Sequence, residues 1–417
     1  MLKEKIKTLI DNPEGLEQLY QQNKKEFKQE LLSSYQDETT HPAIAFWKAR
    51  LLFQPKRLIN ERANKAYLIN CIIVAIGTIF LIKLPLIFGF ESQELEFLIK
   101  NMPLIMLLGL TVFSLSTKSN IDIKKLLYTI AIYTVSAVVI NLIAEKGSTS
   151  PLVYIHIPIF IWFVYGWNYS SYSIGKKDRL DFLKHNGDIA ILSAVFAISG
   201  GILTMITIVL FSGIGKNITN FYIHNIIIPG ITITPIASAL ILKYRPQITN
   251  KISSIVAILF SPLMLITLLI FLTTIIIEGE SPYTKRESLF TFNIMLVPVL
   301  AIIFFSVSEL RNNNIRKYLQ VILLALSTIT LFIDLVALSA IIYRFIEFGI
   351  SPNRLTVLGF NILTCIHLFK ISINLYKSQI DNDDEPIVAN SIAHFLPFYM
   401  AWTFVVAFLF PIIFSIN

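Results

Sequence analysis

The chain has 417 residues, of which 54% are hydrophobic and only 15% charged, and it carries a formal net charge of +8. Soluble domains carry roughly 25% charged residues, so this composition excludes an ordinary soluble protein, a disordered chain and a secreted disulfide scaffold. The two cysteines, Cys71 and Cys365, lie inside apolar runs, as is typical of small core residues.

Residues 1–65 differ from the rest of the chain. The first thirty of them contain no apolar run of the length that a secretory signal needs. Residues 14–35 and 43–59 mix apolar and basic side chains, which predicts a cytoplasmic head of short amphipathic helices. Two interpretations of the head stay open. It is either an anchor on the membrane surface, or a regulatory cap that binds a protein partner.

Residues 66–417 contain eleven apolar runs of about the 20 residues that a helix needs to cross a bilayer. Backbone polar groups in lipid must be bonded within their own segment, so these runs predict helices. The predicted fold class is an all-α polytopic transmembrane helix bundle in a lipid bilayer. The runs are 67–89, 102–117, 126–144, 152–168, 189–212, 222–242, 253–277, 289–308, 319–343, 355–376 and 394–414.

The basic residues predict the orientation of the bundle. With the N-terminus inside, 27 of the 35 Lys and Arg residues fall on the cytoplasmic side, which favours an N-in, C-out topology. This distribution accounts for the positive charge without a nucleic-acid partner. The acidic stretch 377–386 is the one discordant loop on the predicted inner side.

Three charged residues lie within the predicted spans. Lys83 and Lys370 have stems long enough to reach the headgroup layer. The side chain of Asp334 is short, and this residue lies about 14 Å from the outer end of the ninth span. Since ionisable groups at this depth are expensive, Asp334 is a functional candidate.

The tenth span carries polar residues at a comparable depth. Asn361 lies about 9 Å into it, and Thr364 and His367 follow at helical spacing. One interpretation is a carboxylate, Asp334, that responds to protons or cations and is held by Asn361 and nearby hydroxyls. The other is a buried Asp334 that joins two helices by hydrogen bonding.

The sixth span contains several helix-breaking residues. Pro229, Gly230 and Pro235 fall within seven residues, together with Thr232 and Thr234. This pattern predicts a broken helix that exposes backbone groups to a substrate, or a simple proline kink. In the fifth span, the Gly200–Gly201 pair predicts a close approach of two helices.

Residues 278–293 form a charged outer segment. Arg286 and Asn293 share a face if a helix begins near residue 285. Glu278, Arg286 and Glu287 then form either a salt-bridge cluster at the outer mouth or an ordinary solvated group.

The sequence lacks the motifs of the common enzyme classes. It has no phosphate-binding loop, no dinucleotide fingerprint, no HExxH pair and no GxSxG elbow. The six histidines are scattered. We therefore predict no enzymatic activity, no cofactor and no metal site.

Six stretches together resemble one protein family. They are AFWKARL, HIPIFIWFVYGW, RLDFLKHNGD, SPYTKRESLFTFNIMLV, EFGISPNRLTVLGFN and HFLPFYMAWTFVVAFLFP, spread over residues 43–414. In this order they resemble the bacterial domain-of-unknown-function family numbered 4153, which implies a protein of the bacterial inner membrane but transfers no activity. The residues that match its motifs are Arg179, Asp181, Asn186, Gly187, Arg286, Glu287, Asn293, Pro352, Asn353 and Arg354.

Three functions compete at this point. The leading hypothesis is a permease-like transporter for a small solute or lipid, which predicts a cavity between the sixth, ninth and tenth spans. The alternative is a membrane scaffold or sensor that acts through protein partners of residues 1–65. The third is an intramembrane enzyme that uses Asp334.

Overall fold

The structure is a computed structural model. It describes the chain apart from residues 1, 23, 35–40, 53–60, 91–92, 119–120, 144–146, 173–174, 214–215, 245, 279–281, 284–285, 312–315, 381–386 and 415–417. Every regular element among the described residues is helical. The chain divides into two compact units, a head of residues 1–66 and a membrane unit of residues 67–417.

The described part of the head contains four short helices. Residues 53–59 of the second predicted head helix lie outside the described residues. A small core forms where Leu16, Phe27, Leu31 and Trp47 meet. Arg50 forms a charged pair with Glu17, and this hydrogen bond holds the pKa of the Glu17 carboxyl below its ordinary value. The helices are α1 (Leu2–Thr8), α2 (Pro13–Gln22), α3 (Lys24–Ser34) and α4 (Pro42–Leu52).

The remaining helices run through the membrane unit. Two π-helical segments, Ile223–Ile227 and Val405–Leu409, and a 3₁₀ turn, Glu309–Arg311, interrupt the α-helical series. The helices are α5 (Glu61–Ile82), α6 (Leu84–Ile87), α7 (Glu94–Ser116), α8 (Ile123–Leu142), α9 (Ser150–Tyr169), α10 (Lys176–Gly213), α11 (Thr219–Tyr222), α12 (Ile228–Tyr244), α13 (Pro246–Glu278), α14 (Arg286–Ser308), α15 (Arg316–Phe348), α16 (Pro352–Ile380), α17 (Ile387–Phe404) and α18 (Phe410–Phe414).

The predicted all-α bundle is confirmed. Within the described part of the chain, eleven helices are long and apolar enough to cross a membrane, and each corresponds to one predicted run. Large apolar side chains such as Ile73, Phe80 and Met205 stay exposed on their outer faces. A soluble protein rarely exposes so much apolar surface, so the chain is a multi-pass membrane protein.

The core of the C-terminal half lies between α14, α15, α16 and α17. Only three residues separate α15 from α16, and the two helices pack along most of their length. Gln320 bonds to Ser378 at 2.9 Å, and Ser372 bonds to Ser327 at 3.0 Å. The partner of the later residue on α15 comes earlier on α16, so α15 and α16 form an antiparallel hairpin.

Helix α10 corrects two expectations. Residues 176–188, which lie between the fourth and fifth predicted runs, form the first turns of a 38-residue helix, which is about 57 Å long. The buried side chains of Leu180, Phe182 and Leu183 explain why these turns fold onto the bundle. A Cβ added at Gly200 or Gly201 would meet nothing within 4 Å, so this pair does not mediate a close helix approach.

Candidate functional site

The predicted intramembrane residues come together in one polar cluster. Asp334 on α15 and Asn361, Thr364 and His367 on α16 are all fully buried. Ser327 on α15 contacts Ser372 on α16. Because the two helices are antiparallel, Asp334, seven residues after Ser327, lies opposite residues 364–365, about seven residues before Ser372. Asn361 and His367 lie about one helical turn to either side. We call these four residues the Asp334 cluster.

Most polar atoms of the Asp334 cluster lack a hydrogen-bond partner among the described residues. These atoms are both carboxylate oxygens of Asp334, both amide atoms of Asn361 and Nε2 of His367, whereas the Thr364 hydroxyl bonds to Tyr399 on α17. A single buried polar group without a partner destabilises a protein by about 1–3 kcal/mol. Several such groups at one place therefore indicate a functional site, because they lower the stability of the protein.

Helix α17 closes the cluster on one side. The Nδ1 of His367 lies 3.1 Å from the hydroxyl of Tyr399, and its ring stacks on Phe395 with centroids 4.3 Å apart. Tyr399 also interacts electrostatically with Asp334. Lys370 lies one turn further along α16 with its ammonium 5.0 Å from the Phe395 ring centroid. Aromatic packing thus fixes the His367 ring, whose Nε2 is buried without a hydrogen-bond partner among the described residues.

The cluster offers oxygen donors of three kinds: a carboxylate, an amide and a hydroxyl. In the described part of the chain no group of three or more His, Cys, Asp or Glu converges on one point. Carboxylate, carbonyl and hydroxyl oxygens accept protons and hard cations more readily than soft ones. The arrangement can therefore hold a proton or a small cation between α15 and α16.

The structure contains a continuous helix in the sixth span, which agrees with the second of the two interpretations of its prolines and not with a broken helix. The chain is helical from Thr219 to Tyr244, and Pro229, Gly230 and Pro235 all lie within α12. Pro229 has no backbone N–H, and the π-helical segment just before it lets the helix continue without that hydrogen bond. The hydroxyls of Thr232 and Thr234 bond to carbonyls four residues earlier on their own helix.

The π-helical segment leaves the carbonyl of His224 without a backbone donor, and the ammonium of Lys83 donates to it instead. The amide of Ile228 donates to Ile223, five residues back, so it does not reach the carbonyl of His224. The next residue, Pro229, has no N–H. Lys83 donates to that carbonyl at 2.5 Å and to Oδ1 of Asn225 at 3.2 Å.

The same segment is bound from a second side. Nδ1 of His224 lies 2.9 Å from a carboxylate oxygen of Glu94, the first residue of α7. Helix α5 ends at Ile82, so Lys83 lies at the junction with the short helix α6, at the N-cap position, and its side chain makes no capping hydrogen bond. Its ammonium binds protein and does not need to reach the headgroup layer.

We expect Lys83→Met to lower the free energy of unfolding by about 1.5 kcal/mol, the low end for a charged hydrogen bond, because Lys83 is only half-buried. The methionine keeps the apolar stem but leaves the His224 carbonyl without a donor. Unfolding by SDS in mixed micelles measures the change. Lys124→Met, on the exposed first turn of α8, is the matched control. Equal stability of the two variants would contradict this role for Lys83.

The family-motif residues of α10 join three other helices. Arg179 donates to the carbonyl of Ala393 on α17 at 2.8 Å. Asn186 accepts from the indole of Trp162 on α9 at 2.9 Å. Gly187 lies against α14, where an added Cβ would come within 2.0 Å of Phe305. These contacts give Arg179, Asn186 and Gly187 structural roles.

The remaining motif residues lie near the opposite ends of the helices. Arg354 donates to the carbonyls of Phe348 and Gly349 at 2.7 Å each and so closes the α15–α16 turn. Pro352 begins α16, and Asn353 beside it is exposed. On α14, Asn293 donates to the carbonyl of Leu289 at 2.8 Å.

The predicted outer charge cluster falls largely outside the described side chains. Those of Glu278 and Arg286 are not described, and Glu287 is exposed in the first turn of α14.

A cavity of about 400 Å³ lies where the C-terminal ends of α7, α9 and α12 meet the first turns of α10. We call it the inner cavity, because the basic residues predict that this end is cytoplasmic. Its lining includes the motif residue Asp181 together with Lys184, His185, Asp188 and Lys243. The hydropathy pattern did not reveal this site, because its residues come from four helices that the sequence does not show to be neighbours.

The main cavities of the described residues do not correspond to the predicted one between the sixth, ninth and tenth spans. Besides the inner cavity, one lies between α9, α10 and α17, and another is lined mainly by α7 and α8. The Asp334 cluster is closed off from solvent in this conformation.

Comparison with known proteins found no matching family model, no similar curated protein and no similar solved structure. The resemblance to the family numbered 4153 therefore stays a prediction.

Proposed function

We propose that this multi-pass membrane protein is a permease-like transporter of the bacterial inner membrane, oriented with its N-terminus in the cytoplasm. In this proposal the Asp334 cluster binds the proton or monovalent cation that drives transport. One observation carries the proposal: a fully buried carboxylate lies within about one helical turn of a fully buried amide on the neighbouring helix, and neither has a hydrogen-bond partner among the described residues. Ionisable residues at such depth mark ion and proton pathways in many membrane proteins.

The closed state of the cluster fits alternating access. A transporter must shield its coupling site from one side of the membrane while it is open to the other. Asp334 lies between α15 and α16, with α17 packed against α16, so a movement among these helices would open the site. The inner cavity, which lies between other helices, then supplies a separate place for the solute.

The first test is ion binding to the purified full-length protein. Sodium, lithium or potassium ions should shift the thermal unfolding midpoint of the wild type, because a ligand that binds only the folded state stabilises it. Asp334→Asn should remove this shift, since the amide has the same shape but no charge. Asp122→Asn, at the exposed N-cap of α8, should keep it.

The second test is flux in sealed proteoliposomes. An imposed sodium or proton gradient should drive protein-dependent ion movement, which Asp334→Asn abolishes and Asp122→Asn preserves. Ion movement no faster than in empty liposomes would overturn transport. An unchanged response of Asp334→Asn in both assays would overturn the role of the Asp334 cluster.

A further inference from the structure

A second cavity, of about 410 Å³, lies between α9, α10 and α17. We call it the Arg179 groove, because Arg179 is the one charged side chain among the described residues that line it. Apart from Arg179 and Ser170, its lining is apolar. The apolar side chains are those of Phe163, Trp167, Phe182, Leu396, Pro397 and Met400. An apolar pocket of this size with a few polar groups is the usual form of a ligand site.

The charged and apolar ends of the Arg179 groove lie at different depths in the membrane unit. Arg179, in the first turn of α10, donates to the carbonyl of Ala393 at 2.8 Å, which fixes the charged end near the start of α17. Met400 lies seven residues further along α17, about 10 Å along the helix axis, at the middle of the span Ile387–Phe414. The groove therefore runs from the membrane surface into its apolar interior, as a lipid does.

The guanidinium of Arg179 has hydrogen-bond donors to spare. It carries N–H groups on three nitrogens, and its hydrogen bond to Ala393 uses Nη1 alone. None of the ion pairs formed among the described residues includes Arg179. Arg179 is also only half-buried, so a ligand can reach it. A guanidinium with free donors binds a phosphate group through two parallel hydrogen bonds.

The charges around the groove favour an anion. Residues 176–184, the first turns of α10, contain four basic and two acidic residues. The acidic ones, Asp178 and Asp181, have interactions of their own. Lys184 pairs with the buried Glu309 at 3.0 Å. Even with Glu309 counted, the basic residues outnumber the acidic ones, and anionic lipids are attracted to such basic segments beside a membrane.

We infer that the Arg179 groove binds an anionic phospholipid of the surrounding membrane. The headgroup phosphate lies on the Arg179 guanidinium, and the upper part of one acyl chain lies against Phe163, Leu396 and Met400. A purely apolar ligand would remove water from the guanidinium without replacing its hydrogen bonds. A free phosphate would leave the apolar wall uncovered. No acidic residue is among the described lining residues, so the groove offers no partner to the ammonium of a zwitterionic headgroup.

This inference goes beyond the proposed transport. None of the residues that line the Arg179 groove belongs to the Asp334 cluster, and lipid binding needs no ion gradient. The two proposals therefore fail separately. A lipid site without gradient-driven flux would leave this inference standing and overturn transport alone.

The test is native mass spectrometry of the delipidated full-length protein in detergent, titrated with dioleoyl phosphatidylglycerol or dioleoyl phosphatidylcholine. The two lipids share their acyl chains and differ in headgroup charge. The first phosphatidylglycerol should bind about tenfold more tightly, the factor that one charged hydrogen bond contributes. Glycerol 3-phosphate, which has the phosphate but no acyl chain, should not compete with it at equal concentration.

Substitutions at the charged end test the role of the guanidinium. Arg179→Met should reduce the affinity for phosphatidylglycerol to that for phosphatidylcholine. Arg354→Met is the matched control, because Arg354 also donates to backbone carbonyls but lies at the α15–α16 turn. It should keep the tenfold preference. Arg179→Lys keeps the charge and loses the paired donors, so it should weaken phosphatidylglycerol binding several-fold even if Arg179→Met does not fold.

A substitution at the apolar end tests the position of the acyl chain. Met400→Trp should fill this part of the groove and weaken the binding of both lipids, while the preference for phosphatidylglycerol stays. Circular dichroism and the unfolding midpoint without lipid show whether each variant is folded.

Each outcome decides the inference. A preference for phosphatidylglycerol that Arg179→Met or Arg179→Lys reduces and Arg354→Met keeps supports it. Equal affinity of the wild type for the two lipids, or an unchanged preference in the folded Arg179 variants, overturns it. Competition by glycerol 3-phosphate would overturn a lipid as the occupant, since no acyl chain would then be needed. Unchanged lipid affinity in Met400→Trp would overturn the position given to the chain.

Discussion

Gly187→Ala is expected to lower the free energy of unfolding of the membrane unit by about 1–3 kcal/mol, the usual range for overpacking. An added Cβ would lie 2.0 Å from Cδ2 and 2.2 Å from Cε2 of Phe305, far inside van der Waals contact. Either the Phe305 ring must rotate away or α10 and α14 must separate. Both changes disturb a packed contact near the inner cavity. SDS unfolding in mixed micelles measures the effect.

Gly200→Ala provides the control within the same helix. Its Cβ would meet nothing within 4 Å, and alanine favours a helix over glycine by up to about 1 kcal/mol. This variant should therefore be neutral or slightly more stable than the wild type. If Gly187→Ala were as stable as Gly200→Ala, the close contact with Phe305 would not be a feature of the folded protein.

These two glycines show what the sequence can and cannot reveal. Both lie in α10, and both look like small residues suited to close packing. Only the position of Phe305, more than a hundred residues away, distinguishes them. Hydropathy reports which segments enter the membrane, but it does not report which helices become neighbours.

The Asp334 cluster was predictable for the opposite reason. Only three residues connect α15 to α16, so the helical rise and the span boundaries were enough to place Asp334 and Asn361 at comparable depth. The Lys83–His224 contact joins residues 141 positions apart and depends on a π-helical turn. A proline pattern predicts a disturbed helix but does not show how the backbone accommodates it.

Lys184→Met is expected to destabilise the membrane unit by about 3 kcal/mol, the lower end of the range for breaking a buried ion pair. Glu309 is 3% exposed, so its carboxylate stays in a poorly hydrated place when the lysine is removed. Lys184 itself is 31% exposed, which moderates the effect. SDS unfolding in mixed micelles reports the loss.

The double variant Lys184→Met/Glu309→Gln tests the electrostatic cause. The second substitution replaces the Glu309 carboxylate, which has lost its lysine, by a neutral amide. Most of the lost stability should therefore return, to within about 1 kcal/mol of the wild type. Glu309→Gln alone should cost less than Lys184→Met, because the partly exposed ammonium of Lys184 can be hydrated. Additive losses in the double variant would show that Lys184 contributes through packing of its stem and not through its charge.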